Sequence, residues 1–210
     1  MKKINVLLSF PIGASFRNNP KLLIYKLFLH FVKKMNCINV DKKCGFCINR
    51  LECKYYGISG QDFKEYPGII LNINYFEKKI YRANEEMNLQ FYTIGNQSIN
   101  ASYVEIFFKN YLKQEIVGIP YYVKDIDIIE VNEVSSFELT YLKIRSIIET
   151  DDVLDVIDNM IEYYNLNYRT SFKKVDGELI HSSRKCVSTI NINKKFVKGY
   201  VGVFQLIITE

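Results

Sequence analysis

Three groups of residues have the types and spacing to do chemistry. The first is Lys26, His30, Lys33 and Lys34, whose i, i+4, i+7, i+8 spacing puts them on one face of any helix that spans them. An imidazole titrates near neutrality and can take a proton from a hydroxyl. Neighbouring ammonium groups can stabilise charge building on phosphorus. A ribose 2′-hydroxyl beside a phosphodiester calls for both. The candidate catalytic set is therefore His30 as base, with Lys26, Lys33 or Lys34 as electrostatic helpers. The alternative is an ordinary exposed histidine on a solvated helix.

The second group is Cys37, Cys44, Cys47 and Cys53, spaced C-x6-C-x2-C-x5-C. The Cys44-Gly45-Phe46-Cys47 knuckle is typical of tetrahedral zinc thiolate sites, and four ligands close such a site, making it structural rather than catalytic. An iron–sulfur cluster is open on ligand type, as is a reduced loop with no metal. The third group lies near the end of the chain: His181, Ser182, Ser183, Arg184 and Lys185, then Lys194, Lys195, Lys198, Gly199, Tyr200 and Gly202. Five cations and no acid fall between His181 and Tyr200. Apolar runs at Cys186–Ile192 and Val201–Ile208 flank them. Cations neutralise phosphates, glycines let a backbone approach closely and Tyr200 offers a stacking face, so a basic hairpin here suits a polyanion. The alternative is a solvated hairpin with lysine-guarded edges.

The elements that position these groups follow from periodicity. A strand is expected over residues 3–10. Asn19 and Pro20 mark a helix start as N-cap and first helical residue. That helix reaches about Met35, with Ile24, Leu27, Phe28, Phe31 and Met35 as its apolar stripe. After the cysteine-rich insertion at 37–53, strands are expected at Gly68–Ile73 and Leu89–Ile94. A helix capped by Asn100 carries Val104, Phe107, Phe108, Tyr111 and Leu112, and an extended segment runs from Tyr121 to Val131. The order strand, helix, strand, strand, helix, strand is the split βαβ arrangement of a ferredoxin-like domain. A second unit begins near Ser135. It has a strand at Phe137–Ile148 and a helix capped by Thr150, with Val153, Ile157, Met160, Ile161 and Tyr164 buried. Strands at Ser171–Val175, Leu179–Ile192 and Lys198–Ile208 complete it. The expected fold is thus α+β. It comprises tandem ferredoxin-like (βαββαβ, RRM-like) domains at 1–133 and 134–210, the second C-terminally shortened.

Composition narrows the function classes. Among 210 residues, 48% are hydrophobic and 14% aromatic, enough for a sizeable core, and the net charge is +5. Residues 21–54 carry eight Lys/Arg against two acids, whereas residues 115–162 carry twelve acids against three cations. A polyanion-binding face apart from a solvated acidic one is implied. No apolar run approaches the roughly 20 residues of a membrane span, and Lys26 interrupts the best candidate. Five cysteines, an odd and clustered number, argue against a secreted disulfide framework and for a cytoplasmic protein. No glycine-rich phosphate loop and no serine-hydrolase elbow occurs.

Three stretches resemble the CRISPR repeat-processing endoribonucleases of the RAMP superfamily. One is the early strand and helix followed by Cys44, Cys47, Cys53, Lys54, Tyr55 and Tyr56. Another is Met87 to Gly95, then a helix and Gly118. The last is Ser182-Ser183-Arg184-Lys185 followed by Lys198-Gly199-Tyr200-Val201-Gly202, similar to the family's second-domain signature. The resemblance implies tandem ferredoxin-like domains and binding of CRISPR repeat RNA, in antiviral defence. It also implies metal-independent cleavage by 2′-hydroxyl attack that leaves a 2′,3′-cyclic phosphate. The family's base is frequently a histidine near the first helix, and His30 matches that position. An RNA-binding subunit of a CRISPR effector complex, without cleavage, is the alternative. Other CRISPR-associated proteins are possible partners under either reading.

Overall fold

A computed structural model describes residues 1–38, 44–60, 65–74, 77–131, 140–148, 152–174, 177–190 and 196–208. The chain divides into two compact units, one of Met1–Asn72 with Phe76–Val131 and one of Ile73–Tyr75 with Asn132–Glu210.

In the first unit, β1 (Lys2–Phe10) leads to α1 (Pro20–Asn36) and the short α2 (Lys54–Ile58). Next come β2 (Ile69–Leu71), β3 (Glu85–Thr93), α3 (Ser102–Ile106) and β4 (Tyr122–Glu130). The sheet order is β2-β3-β1-β4 and every pairing is antiparallel. That is the ferredoxin-like order, in which both helices cover one face. Ile4, Val6, Leu8 and Phe10 of β1 alternate into that face and pair near Phe91, Leu89, Met87 and Glu85 of β3. A period of two supplies one buried row per strand.

α1 forms where its caps demand. The Asn19 side chain accepts from the Leu22 amide at 3.1 Å, and Pro20 spends no donor in the first turn. The buried stripe is broader than the periodic set. Ile24, Tyr25, Phe28, Leu29, Phe31 and Val32 are buried, whereas Met35 is 61% exposed. Met35 shares the stripe's angular position but sits in the last turn beside exposed Ile38, past the surface that covers the earlier turns. Phe28 packs edge-on to Phe91 at 5.5 Å and to Phe107 at 5.6 Å, and Phe91 meets Phe108 at 6.1 Å. Tyr25 donates its hydroxyl to the Ile69 carbonyl at 2.6 Å, tying α1 to β2.

The second helical segment departs from expectation. Asn100 is buried and donates to the Gln97 side chain at 2.8 Å rather than capping a helix, because residues 95–100 form a tighter turn of their own. α3 then widens into one π turn at Phe107–Tyr111. That turn lets consecutive Phe107 and Phe108 both be buried, with rings 4.9 Å apart, which the 100° step of a regular helix resists. Tyr121 is fully buried, donates to the Phe108 carbonyl at 3.0 Å, and its phenol pKa is pushed well above the usual value by burial. β4 is an edge strand whose residues are half-buried or exposed, among them Lys124, Asp125, Asp127 and Glu130.

The second unit contains β5 (Thr140–Ile148), α4 (Val153–Tyr168), β6 (Gly177–Ile190) and β7 (Phe196–Ile208), with sheet order β6-β7-β5. This repeats the first unit's β2-β3-β1 order, so both units are ferredoxin-like and the fold is α+β. The α4 cap is Asp152, which accepts from the Asp155 amide at 3.1 Å. Thr150, the expected cap, lies outside the described residues, as do Phe137 and Leu139. Val153, Ile161, Tyr164 and Tyr168 are buried, while Ile157 and Met160 are half-buried. No strand forms at Ser171–Lys174, where Asn165 takes the Phe172 amide and carbonyl into a cap-like loop at 2.8 Å each. No helix among the described residues is long and apolar enough to cross a membrane.

Between α3 and β4, the strand pairs Glu115–Ile116 and Ile119–Pro120 are joined by Val117 and Gly118, with φ of 52° and 78°. Positive φ at both central positions is the tight hairpin turn favouring Asn-Gly, and a β-branched residue is strained there. Val117 is 71% exposed, so its side chain gains little packing in return. Val117→Asn is expected to raise stability by about 1 kcal/mol, read as a higher urea midpoint at unchanged slope. A lower midpoint would contradict the left-handed turn.

Candidate nucleic-acid interface

α1 is amphipathic in the strict sense. Its buried stripe faces the sheet, so Lys26, His30, Lys33 and Lys34 lie on the opposite face. His30 and Lys34 are exposed; Lys26 and Lys33 are half-buried. The two C-terminal lysines diverge. Lys33 Nζ lies 5.2 Å from the ring centre of Tyr55 on α2, and Lys34 Nζ lies 5.9 Å from that of Tyr111 on the π turn. Lys54 Nζ stands 5.8 Å from the Tyr103 ring. Cations are also favoured here because the last turn of α1 carries the negative end of the helix dipole.

Asn36 ties this end together. It accepts from the Tyr103 hydroxyl at 2.8 Å and donates to the Val32 carbonyl at 2.8 Å. The sequence reading missed Lys54, Tyr103 and Tyr111 as partners of the cationic face. The spacing of Tyr111 marks it only as core, and cation–ring pairs across three elements leave no spacing signature.

Cys37, Cys44, Cys47 and Cys53 line one cavity of about 300 Å³, with Asn36 and Arg50 among its other wall residues. No disulfide links the cysteines. Among the described residues, no three Cys, His, Asp or Glu side chains are gathered closely enough to hold a metal ion.

In the second unit, the terminal candidates fall on two long paired strands, close to the expected Leu179–Ile192 and Lys198–Ile208. His181, Ser182, Ser183, Arg184 and Lys185 lie on β6, and Lys198, Gly199, Tyr200 and Gly202 on β7. Lys194 and Lys195 lie outside the described residues. The register sets Arg184 opposite Gly202, Cys186 opposite Tyr200 and Ser188 opposite Lys198. These positions share one side of the ribbon, and Cys186 is exposed there. His181, Ser183 and Lys185 occupy the alternate positions, opposite Gln205, Val203 and Val201. Gly199, on that alternate side, is buried. Both glycines are within β7, as the expected strand Lys198–Ile208 places them. Against β5 the register shifts between Tyr200 and Gly202, a bulge beside a strand glycine.

No protein-family model and no curated protein matches this chain. Solved structures do match along its whole length. The two units define a tandem ferredoxin-like α+β protein. Its fold is that of the RAMP and Cas6 proteins. One neighbour is a RAMP protein described as binding different RNA substrates, with TM-score 0.59 and 13% identity over 100% of this chain and 89% of its own. Another is a Cas6 product complex, with TM-score 0.61 and 9% identity over 100% and 87%. A third is a Cas6-related protein from Pyrococcus furiosus, with TM-score 0.52 and 14% identity over 99% and 87%.

The Asn36–Tyr103 bond is the tie most open to a single-atom test. Tyr103→Phe is expected to cost about 1 kcal/mol by leaving the Asn36 carbonyl oxygen unpaired, measured by denaturant unfolding. An unchanged midpoint would mean water replaces the hydroxyl without loss.

Proposed function

We propose that this protein binds CRISPR repeat RNA and cleaves it without a metal ion. His30 takes the proton of a ribose 2′-hydroxyl. The freed oxygen attacks the adjacent phosphorus, the bond to the 5′-oxygen breaks, and that oxygen collects a proton from solvent. The products are a 2′,3′-cyclic phosphate and a 5′-hydroxyl. Lys26, Lys33 and Lys34 stabilise the charge accumulating on the phosphoryl oxygens. Arg184, Lys198 and Tyr200, which the register sets on the same side of the ribbon as exposed Cys186, hold the RNA together with His181, Ser182, Ser183, Lys185, Gly199 and Gly202, and with Lys194 and Lys195, which lie outside the described residues.

The observation that carries this reading is His30: an exposed imidazole on the solvent face of α1, one turn from Lys26 and from Lys34. The fold shared with an RNA-binding RAMP protein and a Cas6 product complex supports the substrate class. The twelve-acid stretch at 115–162 is poorly suited to a polyanion, which favours the two basic ends as the contact regions.

The test is labelled repeat RNA incubated with the protein in EDTA. Specific products ending in a cyclic phosphate are expected. His30→Ala should slow cleavage by at least about 100-fold while leaving binding nearly unchanged. Binding without products would assign the chain to the effector-subunit class, and equal cleavage by His30→Ala would remove that residue from the mechanism. Binding should weaken steeply with salt, and Arg184→Ala or Lys198→Ala should each flatten the slope of log K against log salt by about 1. Bound RNA should also slow alkylation of Cys186; an unchanged rate would place the RNA elsewhere on the ribbon.

A further inference from the structure

The end of α1 gathers one more cation than the helix itself supplies. Lys54 opens α2 and is exposed, and its ammonium stands 5.8 Å from the ring centre of Tyr103. Tyr103 fixes where that ammonium lies. Its hydroxyl donates to Asn36, the last residue of α1, and its ring meets Phe31 edge-on at 6.2 Å. Asn36 follows Lys33 by three residues and so neighbours it on the helix surface. Lys54 therefore extends the Lys26–His30–Lys33 side of α1 past the helix end. Lys26 and Lys33 are already about 10 Å apart along the axis, at 1.5 Å per residue. A line of cations that outruns the helix exceeds what one phosphodiester linkage can occupy.

The form of the contact also counts. Glu52 is exposed two residues before Lys54, yet among the described residues Lys54 makes no ion pair and rests on a ring instead. A ring orders an ammonium without neutralising it, so the charge stays available to a phosphate. Lys109 and Lys124, by contrast, are answered by Glu105 and Glu86. An ammonium held in place also loses less freedom when it meets an anion. We infer that Lys54 binds a phosphate of the RNA backbone outside the cut, on one side of the linkage that His30 serves, with Tyr103 as its positioning residue. This site rests on the reading of α1 as an RNA-cleaving face. Lys54 holds the strand against the end of α1 and takes no part in bond breaking.

Labelled repeat RNA, whole or trimmed close to the cut on either side, tests the site. Lys54→Ala is expected to bind whole RNA about fivefold more weakly and to flatten the slope of log K against log salt by about 1. Lys54→Arg should keep the slope. The cleavage rate at saturating protein should not change, because a contact equal in ground and transition states alters binding alone. On one of the two trimmed RNAs, Lys54→Ala and the parent should bind alike, since the phosphate that Lys54 holds is gone. Tyr103→Leu, which removes the ring, should weaken binding of whole RNA, whereas Tyr103→Phe should not. Should Tyr103→Leu not fold, the exposed Lys54→Ala decides the matter. An unchanged slope for Lys54→Ala, an equal deficit on both trimmed RNAs, or a fall in the saturated rate would overturn the inference. Parent protein that binds RNA without cutting it would end the catalytic role of His30 and leave the slope to decide Lys54. Parent protein that binds no RNA would end both readings.

Discussion

The contact on which the first unit depends is the aromatic seam by which α1 lies on its sheet. Phe28 sits between Phe91 of β3 and Phe107 of the π turn, and Phe31 continues the seam to Phe107 at 5.6 Å and Tyr111 at 4.8 Å. Burying each such ring contributes on the order of 1.5–3 kcal/mol. Packing, not charge, therefore chooses which side of the helix looks outward. Once Ile24, Phe28 and Phe31 face the sheet, a 3.6-residue period leaves Lys26, His30, Lys33 and Lys34 no other direction.

The end of α1 couples that seam to the surface. Tyr55 is 2% exposed and belongs to the core, yet its ring also steadies the Lys33 ammonium. Tyr111 does the same for Lys34 while packing on Phe31. Two cations at the dipole's negative end are thus held by rings the core already requires. The cationic face is pre-ordered at its C-terminal end, and His30 stands just before that end. A positively charged surface with fixed side chains loses less entropy on meeting a phosphate backbone than one of free lysines.

The elements legible from sequence are those governed by local rules. Asn19-Pro20 specified the start of α1 because cap and first-turn proline act within one turn, and the βαββαβ order followed from alternating periods. What escaped was set by neighbours distant in sequence. Met35 carries the right spacing but lies beyond the covering surface. Asn100 has a capping side chain but meets Gln97 instead. Adjacent Phe107 and Phe108 required a π turn that no periodicity announces. Among site residues, His30 and the lysines were legible as a helical face, and the shared cavity of the cysteines as a clustered spacing. Their ring partners on α2 and α3 were not, because they converge only through the fold. The segregation of Arg184 and Lys198 from Lys185 by strand parity needed the β6–β7 register, which sequence alone leaves free to slip by one.

The exposed outer strand of the first unit has a consequence for how copies of this protein meet. β4 presents an unpaired backbone edge among the described residues, with Ile128 and Ile129 each about 40% exposed. Such a row invites edge-to-edge growth into fibrous aggregates. Asp125, Asp127 and Glu130 stand along that row, so two molecules approaching side by side would bring like carboxylates into register before any ladder could form. The acidity that makes this region a poor host for nucleic acid thereby doubles as its protection against self-polymerisation.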